Sequence, residues 1–299
     1  MQHALVNVSV ATLQELSDQF IEYGYSVRGH SKWTMRTRQS HLRAFVAYCT
    51  LQGITEIDQV NHYVIDQFFV EYTKTRSQNT ANTARRVLKV FFQWIDGYKE
   101  TPTKIHTPSI YLVRVKDATP KSLTHEQICT AIKKAKHPQD SLMIAVMFEA
   151  GLRISELVNL KVCDVQREVL HIEGKGMMER TVYITDRLST ALSHFIRVNN
   201  RLETDSVFQS VYNGYGNSLS ISTARRRIQQ CFKKAGVEMY PHQLRHSFAI
   251  TLLENGCDLV TIQRLLGHSD ISITMNYLRV KDKHVEDAYA SHIGSSVMQ

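Results

Sequence analysis

Six residues in the second half of this 299-residue chain are of types that could hold an anion or move a proton, and each sits at a marked position. Arg153 lies in Gly151-Leu152-Arg153-Ile154-Ser155-Glu156-Leu157, at a turn between two helical patterns. On its own it reads as half of a surface ion pair with Glu156. Lys175 is centred in Gly174-Lys175-Gly176, where a solvated hairpin tip is the simplest reading. His242 and Arg245 in Pro241-His242-Gln243-Leu244-Arg245-His246 are three apart, so both face the same way from one helix N-terminus. Such a terminus flanked by His and Arg attracts an anion, and it also reads as a cap among ordinary surface charges. His268 follows a glycine stop in Leu265-Leu266-Gly267-His268-Ser269. Tyr277 comes nine residues later, and alone it reads as a core tyrosine. His242 and His246 are four apart on one helix, yet no Glu stands between them and no third ligand is evident, so zinc is not expected.

These residues must be positioned by a framework, and the pattern supplies one. Three of the five prolines (Pro102, Pro108, Pro120) fall between Thr101 and Lys121, a stretch without helical periodicity. The chain is therefore divided into a helical domain (1–110), a linker (111–122) and a mixed domain (123–299). In the first, the box Thr12-Leu13-Gln14-Glu15 opens a helix, and others are expected over 33–51, 57–74 and 79–95. In the second, helices are expected after Thr124, over 141–150, and over 187–199, 222–235, 241–255, 258–266 and 270–278. Two β-rich runs, 169–173 and 181–185, flank Gly174-Lys175-Gly176 and predict a hairpin. The fold class is mainly α with a small β-hairpin or sheet: an N-terminal helical bundle plus a mixed α+β domain.

Composition narrows the function classes. Hydrophobic residues make up 43% and charged residues 21%, so each half can bury a core. The net charge of +8 is shared, with 12 basic and 9 acidic residues in 1–110 against 24 and 19 in 111–299. A polyanion gripped by both halves suits that balance. The five cysteines are widely spaced with no CxxC, which argues against a disulfide framework or a Cys-based zinc site. No signal-peptide plan and no long apolar run is seen, so the expected place is the cytoplasm, at the nucleoid, without a membrane.

The combination and order Arg, Lys, His-x-x-Arg, Gly-His, Tyr resembles the tyrosine recombinases, the phage integrase family, and its compact Xer-type members in particular. GLRISEL, GKG, PHQLRHSFA, LLENG, LLGHS and the closing tyrosine match the family's boxes over about 151–277. Some positions depart from it. Met177 and Met178 replace a common basic residue after GKG, though Arg180 remains. Ile250-Thr251 and Leu278-Arg279 each stand where relatives often carry Thr-His.

The resemblance implies a SAM-like core-binding domain in front of a tyrosine-recombinase catalytic domain, and the following roles. Tyr277 is the nucleophile on a DNA phosphate. Arg153, Arg245 and His268 hold the non-bridging oxygens. Lys175 protonates the leaving 5′ oxygen, His242 assists proton transfer, and Glu156 supports Arg153. A free tyrosine has a pKa near about 10 and needs cationic neighbours to attack. Two arginines can clamp a phosphate where charge develops. A covalent phosphotyrosine stores the energy of the cut bond, so neither metal nor nucleotide is expected. The implied partners are double-stranded DNA with inverted-repeat half-sites, three further copies in a tetramer, and a second recombinase or accessory protein. Arg36, Arg38 and Arg43, and Arg85, Arg86 and Lys89, are candidate phosphate stripes, or solvated helix faces. In the run Arg225, Arg226 and Arg227 not all can face one way, and at least one is expected on DNA. The rival readings are a type IB topoisomerase, which shares the chemistry but acts as a monomer, and a DNA-binding protein that has lost catalysis.

Overall fold

The structure is a computed structural model that describes residues 12–98, 105, 107–115, 122–173, 179–210 and 218–267. The chain forms two compact units that divide between Asp117 and Ala118. Among the described residues both are helical, and the second also carries one three-stranded antiparallel sheet.

The first unit contains α1 (Leu13–Ser26), α2 (Lys32–Leu51), α3 (His62–Thr75) and α4 (Gln78–Tyr98). Each start is set locally. Thr12 accepts from the Glu15 N–H while Glu15 accepts from the Thr12 N–H, which closes the expected box. Ser31 and Asn61 cap α2 and α3, and the Ser77 hydroxyl accepts from the Thr80 N–H at the head of α4. The core joins Leu16 and Phe20 of α1 to Met35, Leu42 and Phe45 of α2, Phe68 of α3, and Leu88 and Phe91 of α4. The helix expected over 57–74 is two elements. A 3-10 turn covers Ile57–Gln59, and Gln59 Oε1 takes the Thr55 and Glu56 N–H groups. Val60 is extended, and Asn61 then starts α3 afresh.

Part of the proline-rich stretch belongs to this unit. Ile105 and Ile110 are buried in its core around a 3-10 turn, Thr107–Ser109. The Asn82 amide closes on Val113 from both sides, donating to Val113 O at 2.7 Å and accepting from Val113 N at 3.0 Å.

The second unit opens with α5 (His125–Lys133), α6 (Pro138–Glu149) and α7 (Ile154–Asn159). Pro138 occupies the first turn of α6, where its missing N–H costs nothing, so α6 begins three residues before the expected 141. The α6 sequence is apolar nearly all round, as a central helix must be, and it packs against α5, α7, α8 (Asp186–Val198), α9 (Ile221–Lys234) and α10 (His242–Glu254). Between α7 and α8 lie β1 (Val165–Gln166), β2 (Val169–Glu173) and β3 (Glu179–Tyr183), in the order β1-β2-β3. The hairpin is where the β-rich runs place it, but β3 begins two residues earlier than expected. β1 has only two residues, too few for alternation to reveal. The register pairs Leu170 with Val182 and Ile172 with Arg180. The short α11 (Leu259–Leu266) ends at Gly267 in the left-handed region, φ 62°. The expected helix over 270–278 lies outside the described residues.

Candidate active site

The turn between α6 and α7 brings the first arginine into place. Gly151 turns the chain with φ 59°, and a Cβ there would come within 2.4 Å of the Phe248 ring. A side chain is thus excluded twice, by conformation and by space. Arg153 stands just ahead of α7, with its backbone N–H donating to Glu156 Oε2 at 2.8 Å. Its guanidinium donates through Nη1 to Glu156 Oε1 at 2.7 Å. The side chain stays 37% exposed.

The second arginine comes from α10. Arg245 is 1% exposed and donates to two backbone carbonyls, Gly151 O through Nη1 at 2.7 Å and Leu266 O through Nη2. It therefore ties the turn before Arg153 to the end of α11. Its Nη1 lies 3.8 Å from Glu156 Oε2, an ion pair without a direct hydrogen bond.

A third arginine completes the cluster. Arg180 of β3 forks across the Glu156 carboxylate, Nη1 to Oε1 at 2.9 Å and Nη2 to Oε2 at 2.7 Å, and donates through Nε to Leu265 O at 2.9 Å. In the sequence Arg180 stands out only as a basic residue that remains after the GKG turn. Its signal is strand alternation. Arg180 shares a face with Val182, opposite the buried Ile172, so it points inward and a partner is required. With β3 placed from Thr181, that face could not be read.

Glu156 is therefore the hub of three guanidiniums. Burial alone would raise its pKa. The hydrogen bonds and charge of Arg180, with the bonds from Arg153, override that and hold it at about 2. One carboxylate among three arginines leaves an excess of positive charge, where an anion is favoured. The surface ion pair read between Arg153 and Glu156 is in fact the rim of this buried cluster.

His242 sits at the start of α10, three residues before Arg245, with its ring in contact with solvent. Desolvation, then the charges of Arg245 and Arg153, lower its pKa, which favours the neutral imidazole. His246, the other member of the four-apart pair, is buried, and no group of three or more metal-ligating side chains occurs among the described residues. Lys175, His268 and Tyr277 lie outside the described residues. The strands on either side of Lys175 and the α11 end before His268 are both joined to the cluster through Arg180.

The candidate DNA-contacting residues separate by environment. Arg36, Arg43 and Arg86 are exposed, and Lys89 is half-buried. The guanidinium carbon of Arg38 lies 5.6 Å from the centre of the Phe20 ring, and that of Arg85 lies 4.1 Å from the Phe69 ring. Arg225 and Arg226 are exposed on α9, whereas Arg227 turns inward to Asp140 of α6.

The profile of the Phage integrase family matches residues 121–284, and that of the phage integrase N-terminal SAM-like domain matches residues 17–96. The chain is 35% identical over 275 residues to tyrosine recombinase XerA of Pyrococcus furiosus, covering 84% of this chain and 93% of the relative. It is 28% identical over 296 residues to tyrosine recombinase XerC of Lactobacillus leichmannii, covering 93% and 98%. Among solved structures, XerH recombinase bound to palindromic difH in a post-cleavage complex aligns with a TM-score of 0.74 at 21% identity, over 92% of this chain and 84% of that one. A lambda integrase tetramer bound to a Holliday junction aligns with a TM-score of 0.74 at 18% identity, over 91% and 83%. At these identities the two structures speak to the fold. The chain belongs to the phage integrase family. It is a tyrosine recombinase of the Xer type, an enzyme that breaks and rejoins DNA. Among the described residues no helix is long and apolar enough to cross a membrane.

Proposed function

We propose that the chain recombines duplex DNA at specific sites through the arginine cluster around Glu156. The carrying observation is that Arg153 and Arg245, 92 residues apart in sequence, meet beside one buried carboxylate, with Arg153 still partly exposed. Arg153 so placed presents N–H donors to the non-bridging oxygens of a scissile phosphate, the buried Arg245 brings a second positive charge to the same place, and His268 adds a further donor. Fixed donors of this kind stabilise the charge that builds on phosphorus as a fifth oxygen approaches.

The Tyr277 hydroxyl oxygen attacks phosphorus and gives up its proton, which the neutral His242 imidazole is suited to accept. The bond to the 5′ oxygen breaks, and Lys175 protonates that oxygen. The products are a 3′-phosphotyrosyl link and a free 5′ hydroxyl. Attack by a 5′ hydroxyl from another duplex reverses the chemistry and gives a Holliday junction. Two inverted-repeat half-sites per duplex and two duplexes call for four protomers, some of which a second recombinase can supply. The XerH structure above was determined on palindromic difH and the lambda integrase structure as a tetramer on a Holliday junction. The exposed basic residues of α2, α4 and α9 are assigned to the DNA backbone outside the scissile phosphate.

The test is a suicide substrate, nicked so that the cut fragment diffuses away and the covalent complex accumulates. The wild-type chain is expected to form a denaturant-resistant protein–DNA species. Arg153→Ala and Arg245→Ala are expected to lower its rate about 100-fold or more. Wild-type levels of adduct from both variants would refute the assignment.

A further inference from the structure

The role of Arg180 goes beyond support of the sheet. A carboxylate offers about four acceptor positions, two per oxygen. In Glu156 all four are filled: two by Arg180, one by the Arg153 guanidinium and one by the Arg153 backbone N–H. Glu156 thereby holds Arg153 through a single N–H of its guanidinium. The Arg153 Nη2 makes a long bond to Gly267 O at 3.4 Å and stays off the carboxylate. A guanidinium facing a carboxylate with open positions closes on it with two parallel bonds. Arg180 occupies the positions that such a closure by Arg153 would use.

Arg180 is itself fixed at both ends of its side chain. The fork on Glu156 holds its head, with the side chain 9% exposed. Its stem passes over the α11 terminus, where a Cβ on Gly267 would lie 3.0 Å from Arg180 Cδ. The Nε bond to Leu265 O sets its height against the same turn.

We infer that Arg180 is a positioning residue for DNA cleavage: by filling half of the Glu156 carboxylate it keeps Glu156 from clamping Arg153, and so reserves the outer N–H groups of Arg153 for the scissile phosphate. This rests on the reading of Arg153 as a phosphate ligand.

The test compares two suicide substrates in the full-length chain, one with the natural phosphodiester and one with a methylphosphonate at the cut site. The methylphosphonate has no charged non-bridging oxygen, so its cleavage makes little demand on the arginines. Arg180→Gln is expected to slow phosphodiester cleavage about 100-fold and methylphosphonate cleavage about fivefold or less, with single-site binding unchanged. Equal losses on both substrates would mean that Arg180 is only a strut, and the inference would fall. Arg153→Ala is the control. If its defect does not narrow on methylphosphonate, the phosphate-ligand reading itself fails, whatever Arg180 does. Arg180→Gln leaves a buried carboxylate half satisfied and can fail to fold, so Arg180→Gln/Glu156→Gln is the second variant. A glutamine has one acceptor oxygen and no charge to clamp Arg153. This double variant is expected to cut the phosphodiester at least about tenfold faster than Arg180→Gln alone. A folded double variant no faster than Arg180→Gln overturns the inference.

Discussion

Arg227 on α9 donates through Nε to Asp140 Oδ1 on α6 at 2.6 Å, with both side chains nearly buried. The run Arg225-Arg226-Arg227 leaves open in the sequence which of the three faces DNA, and the last of them is turned inside the protein. Salt dependence of DNA binding separates the two uses. Arg225→Ala and Arg226→Ala are each expected to lower the slope of log affinity against log salt by about one. Arg227→Ala is expected to leave the slope alone and to destabilise the chain by about 3 kcal/mol, because Asp140 stays buried without its partner. A slope change in Arg227→Ala without a loss of stability contradicts this.

Glu156 predicts a specific acid sensitivity. Its pKa in the folded chain is about 2, below the ordinary 4.5. A group depressed on folding stabilises the protein above its unfolded pKa, and that stability is lost as pH falls through 4.5 toward 2. The contribution is about 3 kcal/mol at neutral pH. Melting of the wild type against Glu156→Gln is the measurement. The gap in melting temperature is expected to hold above about pH 5 and to shrink from there toward pH 2. A gap independent of pH excludes this role for the carboxylate.

Tyr277→Phe is expected to bind DNA with wild-type affinity and to form no covalent adduct. Tyr289 is too far downstream to substitute. Denaturing gels of a suicide-substrate reaction decide it, since an adduct persisting in the variant would place the nucleophile elsewhere.

The tail after Tyr277 has Val285, Ala288, Tyr289 and Ile293 at helical spacing, outside the described residues. A helix this short is marginal alone and its apolar face requires a surface. Deleting residues from Lys283 onward is expected to spare single-site gel shifts and to weaken two-site complexes and recombination. Full-rate recombination by the truncated chain shows that the tail couples nothing, and failure to bind one site makes it part of its own domain's core.

How far the sequence carries can be judged from these residues. Caps are local, so Thr12, Thr124 and Pro138 announce their helices within a few residues, though the start of α6 still needed the proline to be weighed above the apolar run. Arg153, His242 and Arg245 could be named only through their combination and order with Lys175, His268 and Tyr277, which resemble the family's boxes; alone, each reads as an ordinary cap or surface charge. Arg180 could not, because its direction depends on where β3 begins, and a shift of two residues left it outside the strand. Arg227 lies three residues after Ala224 and four before Cys231, on the margin of the buried stripe of α9, where phase alone does not decide. Asn82 and Val113 are 31 residues apart, and no local pattern links a helix amide to an extended backbone.

The two arginines of the site are anchored in different currencies. Arg245 is held by the carbonyls of Gly151 and Leu266, and a carbonyl survives any change of side chain. Leu266 can drift to another apolar residue without releasing it. Arg153 takes its shortest side-chain bond from the Glu156 carboxylate, with a longer one to Gly267 O. The two arginines therefore differ in what a substitution can reach: replacing the side chain at 266 leaves the carbonyl that holds Arg245, whereas replacing the side chain at 156 removes the bond that holds Arg153 most closely.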